Sequence, residues 1–139
     1  MQTILVIEDN PLHEKLFLEL LQHYGYRVLT AREGAAGLAV ARREQPDLLI
    51  VDCYLPNEGA LETVRAACGD TALYPMPVIA TSAFADESEC EALQAIQCAA
   101  YVPKPVSVGS LIATVKRVLE KPAPTRLPVA PSPLAQLPT

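Results

Sequence analysis

From residue 3 to residue 120 the chain alternates between two hydrophobic patterns. Short runs rich in β-branched residues occur at 3–7, 27–31, 48–52, 77–81 and 100–102 and read as strands. Between and after them, at 11–24, 34–44, 60–68, 87–97 and 107–120, apolar residues recur at three- and four-residue spacing, which predicts amphipathic helices. The first helix carries its own punctuation: Asn10 is a good N-cap, Pro11 suits the first helical position and Gly25 the residue past the end. Leu12, Leu16 and Leu20, with Phe17, Leu21 and Tyr24, read as its apolar stripe. In the last helix, Leu111, Val115, Val118 and Leu119 share a face.

Five strands alternating with five helices predict an α/β fold, a five-stranded parallel sheet doubly wound as (βα)5. The runs Ile4-Leu5-Val6-Ile7 and Leu48-Leu49-Ile50-Val51 are solidly apolar, as strands covered on both faces should be. The pattern stops near residue 121. From Pro122 to Thr139 there are six prolines and one charge, Arg126, so residues 1–121 read as one domain and 122–139 as a Pro-rich tail or linker. Leu127, Val129, Leu134 and Leu137 in that tail are isolated apolar positions, read as parts of a solvated segment rather than a docking motif.

Composition narrows the function. Half of the 139 residues are hydrophobic, 19% are charged and Trp is absent, which excludes a mostly disordered chain and implies an aliphatic core. A net charge of −5 and a pI of about 5.0 argue against nucleic-acid binding, which needs a basic face. The apolar runs are too short to span a bilayer, and Met1-Gln2-Thr3 has no basic leader, so the expectation is a cytoplasmic protein without a membrane partner. Cys53, Cys68, Cys90 and Cys98 show no CxxC spacing, and His13 and His23 are ten apart. These residues are therefore read as reduced thiols and ordinary histidines, not as metal ligands.

In a doubly wound sheet, ligands bind beyond the carboxyl ends of the strands. There the first strand ends in Glu8-Asp9, the third in Asp52, the fourth in Thr81-Ser82-Ala83 and the fifth in Pro103-Lys104-Pro105. Taken singly, each has a plainer reading: helix-capping acids, an N-cap, a strand-end hydroxyl, a surface turn. Together they gather three carboxylates, a hydroxyl and a lysine at one edge. Like charges so close need a cation to offset them. Mg²⁺ takes carboxylates, water and phosphate oxygens. The set points to Mg²⁺-assisted phosphoryl transfer with a carboxylate as the candidate nucleophile.

Residues 2–121 resemble the receiver domains of two-component response regulators, the CheY-like phosphoacceptors. Glu8-Asp9-Asn10 is similar to the family's acidic pair, and Asp52 with Leu55-Pro56 to its phosphoacceptor and loop. Ser82-Ala83 stands thirty residues on, Lys104-Pro105 fifty-two residues on, and Tyr101 three before the lysine. Lys15-Leu16-Phe17, Gly25-Tyr26, Ala83-Phe84-Ala85 and Lys104-Pro105-Val106-Ser107-Val108 are most similar to small DivK-type receivers. The family's usual Asp-Gly, seven and eight residues past the acceptor, is Gly59-Ala60 here, and its glycine four before the switch aromatic is Gln97.

The resemblance implies a flavodoxin-like receiver fold and a role for each residue. Glu8, Asp9, Asp52 and the backbone carbonyl of Tyr54 would hold Mg²⁺. Asp52 would accept a phosphoryl group from a histidine kinase or phosphotransfer protein. Ser82 and Lys104 would bind its oxygens, and Ser82 with Tyr101 would switch a surface. A downstream protein target would read the face built from the helix at 87–97, the strand at 100–102 and the helix at 107–120. The domain would then be a signalling phosphoacceptor, catalysing only its own phosphorylation and dephosphorylation. Two other classes fit less well. An aspartyl phosphohydrolase would have a second Asp where Tyr54 stands, and a docking mimic would have lost an acidic or lysine position. Asp86, Glu87, Glu89 and Glu91, near the start of the helix at 87–97, read as solvated charge complementing the helix dipole rather than as a patch for a basic partner.

Overall fold

A computed structural model of the chain describes residues 1–52, 60–82, 99–103 and 107–120. The helix expected at 87–97, with Gln97 at its end, the loop carrying Tyr54 and Gly59, and Phe84, Lys104 and the Pro-rich tail lie outside the described residues. Within them the strands are β1 (Thr3–Ile7), β2 (Arg27–Ala31), β3 (Leu48–Asp52), β4 (Val78–Ser82) and β5 (Ala100–Pro103). The helices are α1 (Pro11–His23), α2 (Gly34–Glu44), α3 (Ala60–Gly69) and α4 (Val108–Glu120).

All strands are parallel, in the order β2-β1-β3-β4-β5. Strand alternation splits the core in two. Leu5, Ile7, Leu49, Val51, Val78 and Ala80 pack on Leu38 and Ala41 of α2 and on Val64, Ala67 and Cys68 of α3. Ile4, Val6, Leu48, Ile50, Ile79 and Val102 pack on Phe17 and Leu21 of α1 and on Leu111, Ile112, Val115 and Val118 of α4. Residues i and i+2 of a strand share a face, so an unbroken apolar run feeds both cores. That is why Ile4–Ile7 of β1 and Leu48–Val51 of β3 are apolar without a break.

The expected cap of α1 forms. Asn10 Oδ1 accepts the N–H groups of Leu12 (2.9 Å) and His13 (3.4 Å), and Gly25 takes φ +93° just past the helix. The stripe is narrower than expected. Phe17 and Leu21 are buried, but Leu12 and Leu16 are 67% and 62% exposed. At 3.6 residues per turn, Leu12 lies about 160° round the helix from the line of Phe17 and Leu21. The i, i+4 row winds toward the sheet only at Leu20, which packs on the core. Several boundaries also move by one residue, two of them for a visible reason. Pro77 accepts the N–H of Leu49 (3.0 Å) through its carbonyl but has no N–H to give, so β4 begins at Val78 and reaches Ser82. Ser107 is the cap of α4 rather than its first residue: its Oγ accepts the N–H of Ser110 at 3.1 Å.

Candidate functional site

The same alternation that builds the cores aims the site. Glu8 follows Val6 and Ile4 in β1, and Asp52 follows Ile50 and Leu48 in β3, so both side chains leave the sheet on the α1 side. The register pairs Ile7 with Val51, which sets Glu8 beside Asp52 one step further along. The Glu8 N–H donates to Ala31 O at 2.9 Å, holding the end of β1 against β2. Both carboxylates are enclosed: Glu8 is 0% and Asp52 4% exposed. Glu8 Oε2 accepts the Asn10 N–H at 3.2 Å, so the residue that caps α1 also anchors the acid.

Three donor groups converge there. Carboxylate oxygens of Glu8 and Asp52 and a ring nitrogen of His13 lie within 4.8 Å of one another. His13 Nδ1 is 3.8 Å from Glu8 Oε2. Two carboxylate charges at that separation repel by roughly 3 to 4 kcal/mol at an effective dielectric of about 20, which a cation between them would offset. Next to Asp52 on β4 is its register partner, Thr81, whose two-back neighbour Ile79 packs in the same core as Ile50. Thr81 is fully buried, and its Oγ1 has no hydrogen-bond partner among the described residues. Two buried carboxylates beside an orphaned buried hydroxyl make a donor set suited to a hydrated divalent cation.

The other residues singled out from sequence are placed less closely. Asp9 is exposed and stands outside the cluster. Ser82 ends β4 opposite Pro103 of β5, and Tyr101 pairs with Ala80, so Ser82 is on the strand next to β3 and Tyr101 on the strand beyond it. Tyr54 and Lys104 lie outside the described residues. The sequence assigns no role to His13, and Thr81 enters only as part of the strand end Thr81-Ser82-Ala83. His13 was set aside because His23 is ten residues away. Its neighbours are instead Glu8, five residues back, and Asp52, brought over by the sheet. The available signal for His13 was its place in the first turn of a helix that opens directly off the acidic strand end.

The profile of the response regulator receiver domain matches residues 4–116. The polar-differentiation response regulator DivK of Brucella anthropi is 37% identical over 118 residues, covering 85% of this chain and 96% of that protein. The chemotaxis response regulator CheY4 of Vibrio cholerae superposes with a TM-score of 0.77 at 24% identity, covering 85% of this chain and 98% of that one. The signal receiver domain of a histidine kinase from Syntrophus aciditrophicus gives a TM-score of 0.79 at 24% identity, over 90% and 98% of the two chains.

Proposed function

Because this chain belongs to the response regulator receiver family of two-component signalling, we propose that Asp52 is its phosphoacceptor. The observation that carries this is the position of Asp52: enclosed, at the carboxyl end of the central strand, with the Glu8 carboxylate alongside. Receivers as a family bind Mg²⁺ at such acids. Here Glu8, Asp9, Asp52 and the Tyr54 carbonyl would hold it, and bound Mg²⁺ supplies positive charge against the incoming phosphoryl oxygens.

The chemistry is then assigned to this chain's own groups. An Asp52 carboxylate oxygen attacks the phosphorus of a phosphohistidine on a histidine kinase or phosphotransfer protein. The O–P bond forms as the P–N bond breaks, and the donor imidazole leaves with the electron pair and is protonated. Ser82 donates its hydroxyl proton in a hydrogen bond to one phosphoryl oxygen, and the Lys104 ammonium pairs with another. Drawing Ser82 inward would free space for Tyr101 and bias the face formed by the segment 87–97, β5 and α4 toward a downstream protein. In this reading the domain catalyses only its own phosphorylation and dephosphorylation. In the same reading it would work in the cytoplasm beside its phosphodonor. Among the described residues no helix is long and apolar enough to cross a membrane.

The test is labelling by acetyl phosphate with and without Mg²⁺. One phosphoryl group per chain, dependent on Mg²⁺ and absent in Asp52→Asn, is the expected result. Stoichiometric labelling that persists in a folded Asp52→Asn protein overturns the assignment.

A further inference from the structure

The third donor beside the two carboxylates is an imidazole, and phosphoacceptor chemistry assigns it no part. His13 stands at the third position of α1, in a turn fixed by the Asn10 cap. Asn10 is itself tied to the Glu8 carboxylate through its N–H. Cap, acid and imidazole therefore form one unit, and the ring comes back over the strand end to put Nδ1 3.8 Å from Glu8 Oε2. The carboxylates are enclosed, whereas the His13 side chain is 42% exposed. Neighbouring donors on an octahedral cation with bonds near 2.1 Å lie about 3 Å apart. Closing from 3.8 Å to that spacing is within reach of a χ rotation of the ring. The register partner of Asp52, Thr81, holds a buried hydroxyl with no hydrogen-bond partner among the described residues, a second polar group in this region whose bonding capacity is unused.

From this geometry we infer that His13 is a further protein ligand of the divalent cation held at Glu8 and Asp52, and that its nitrogen tilts the site away from Mg²⁺ toward Mn²⁺ and the later transition cations. The inference rests on the reading of Glu8 and Asp52 as cation ligands. Its chemistry is general. Mg²⁺ prefers oxygen and gives up water reluctantly, so an imidazole in place of a water gains it little. Imidazole nitrogen suits the later first-row cations above all, and affinity for a mixed nitrogen–oxygen set rises from Mn²⁺ through Co²⁺ and Ni²⁺; Mn²⁺ stands lowest in that order but still gains more from a nitrogen ligand than Mg²⁺ does. The site would then be filled by a transition cation wherever one competes with Mg²⁺.

The experiment uses the untagged full chain, its His13→Asn and His13→Gln variants, and Asp52→Asn. Mn²⁺ binding is followed by loss of the free-ion electron paramagnetic resonance signal, and Mg²⁺ binding by competition. Electron spin-echo envelope modulation of the bound Mn²⁺ reports directly coupled ¹⁴N. His23 lies at the far end of α1, edge-on to Tyr24, and serves as the internal control. The expected result is ¹⁴N modulation in wild type that both His13 variants lose. The preference for Mn²⁺ over Mg²⁺ should fall in them by at least about tenfold, the scale on which even outer-sphere partners of a metal act. Mn²⁺ bound in wild type without ¹⁴N modulation, with the preference unchanged in the variants, overturns the role of His13 and leaves the carboxylate site standing. Mn²⁺ bound equally well by Asp52→Asn overturns the carboxylate site as well.

Discussion

Adding one methyl group at Gly37 tests how closely α2 is held to the strand that carries Glu8. A Cβ at this position would run into Cδ1 and Cγ1 of Ile7 and sit at 3.6 Å from the Ala31 Cβ. Ile7 is fully enclosed, between α2 and the Leu5–Val51–Ala80 layer, so its side chain cannot swing aside into solvent. Forcing a methyl into such packing costs roughly 1 to 3 kcal/mol. Alanine returns up to about 1 kcal/mol through helix propensity and a less flexible unfolded chain. The net is a loss of about 1 kcal/mol, with an upper end near 2. Gly109, in the first turn of α4, has nothing within 4 Å of the same Cβ; there the second effect acts alone, and Gly109→Ala should gain about 0.4 to 1 kcal/mol. Urea unfolding of both variants, with unchanged m-values, measures the two signs. Because Ile7 immediately precedes Glu8, Gly37→Ala should also lower divalent-cation affinity, whereas Gly109→Ala should not. Gly37→Ala as stable as Gly109→Ala, or more so, would refute the close approach and with it the claim that α2 sets the end of β1.

Three further outcomes are expected. Burial, then the nearby Glu120 charge, raises the Tyr26 phenol above its ordinary 10.0. A raised folded-state value means the contribution is complete below pH 10 and is lost as pH climbs past it. Thermal unfolding of wild type and Tyr26→Phe across the alkaline range should therefore diverge, with the phenylalanine variant declining less. Truncation after Lys121 removes a segment with no continuous apolar face, so calorimetry should find a nearly unchanged midpoint, and a drop of many degrees would mean that the tail docks. Tyr54 and Phe84, two residues past the acceptor and two past Ser82, are large and are not strong bases; a misplaced hydrolytic water can cost on the order of 100-fold in rate. The Tyr54→Asn, Phe84→Glu double mutant should therefore lose its phosphoryl group faster than wild type in a filter-binding time course.

Where sequence reading succeeded and where it stopped follows from the range of each interaction. Asn10-Pro11 and Gly25 act within one turn, so the ends of α1 were readable. The apolar runs of β1 and β3 announced double coverage because alternation sends every residue to one core or the other. Side-chain exposure on α1 was not readable. Leu12 and Leu16 fit the helical period as well as Phe17 and Leu21 do, and only the sheet decides which line is covered. The start of β4 turned on one missing N–H at Pro77. His13 escaped because its partner Asp52 is 39 residues away in the chain, a proximity that exists only once β1 and β3 pair. Glu8 and Asp52 were picked out because the strand-end rule supplies that long-range information for parallel sheets, whereas no such rule covers a helix's first turn.

The strand order also has a bearing on synthesis. By the time residue 52 has been made, β2, β1 and β3 are all present, and they are contiguous in the finished sheet. β4 and then β5 are added in sequence to the same free side. The growing chain thus extends its sheet outward from β3, one strand at a time, and needs no later strand to be threaded between earlier ones. Glu8, His13 and Asp52 all belong to that first installment, while Thr81 arrives with the next strand. The cost falls on β3: until β4 arrives, Leu48-Leu49-Ile50-Val51 is an uncovered apolar edge able to pair with another nascent chain. A chain stalled after β3 has cleared the ribosome and before β4 has emerged would present that edge, and such fragments should self-associate far more readily than the finished domain.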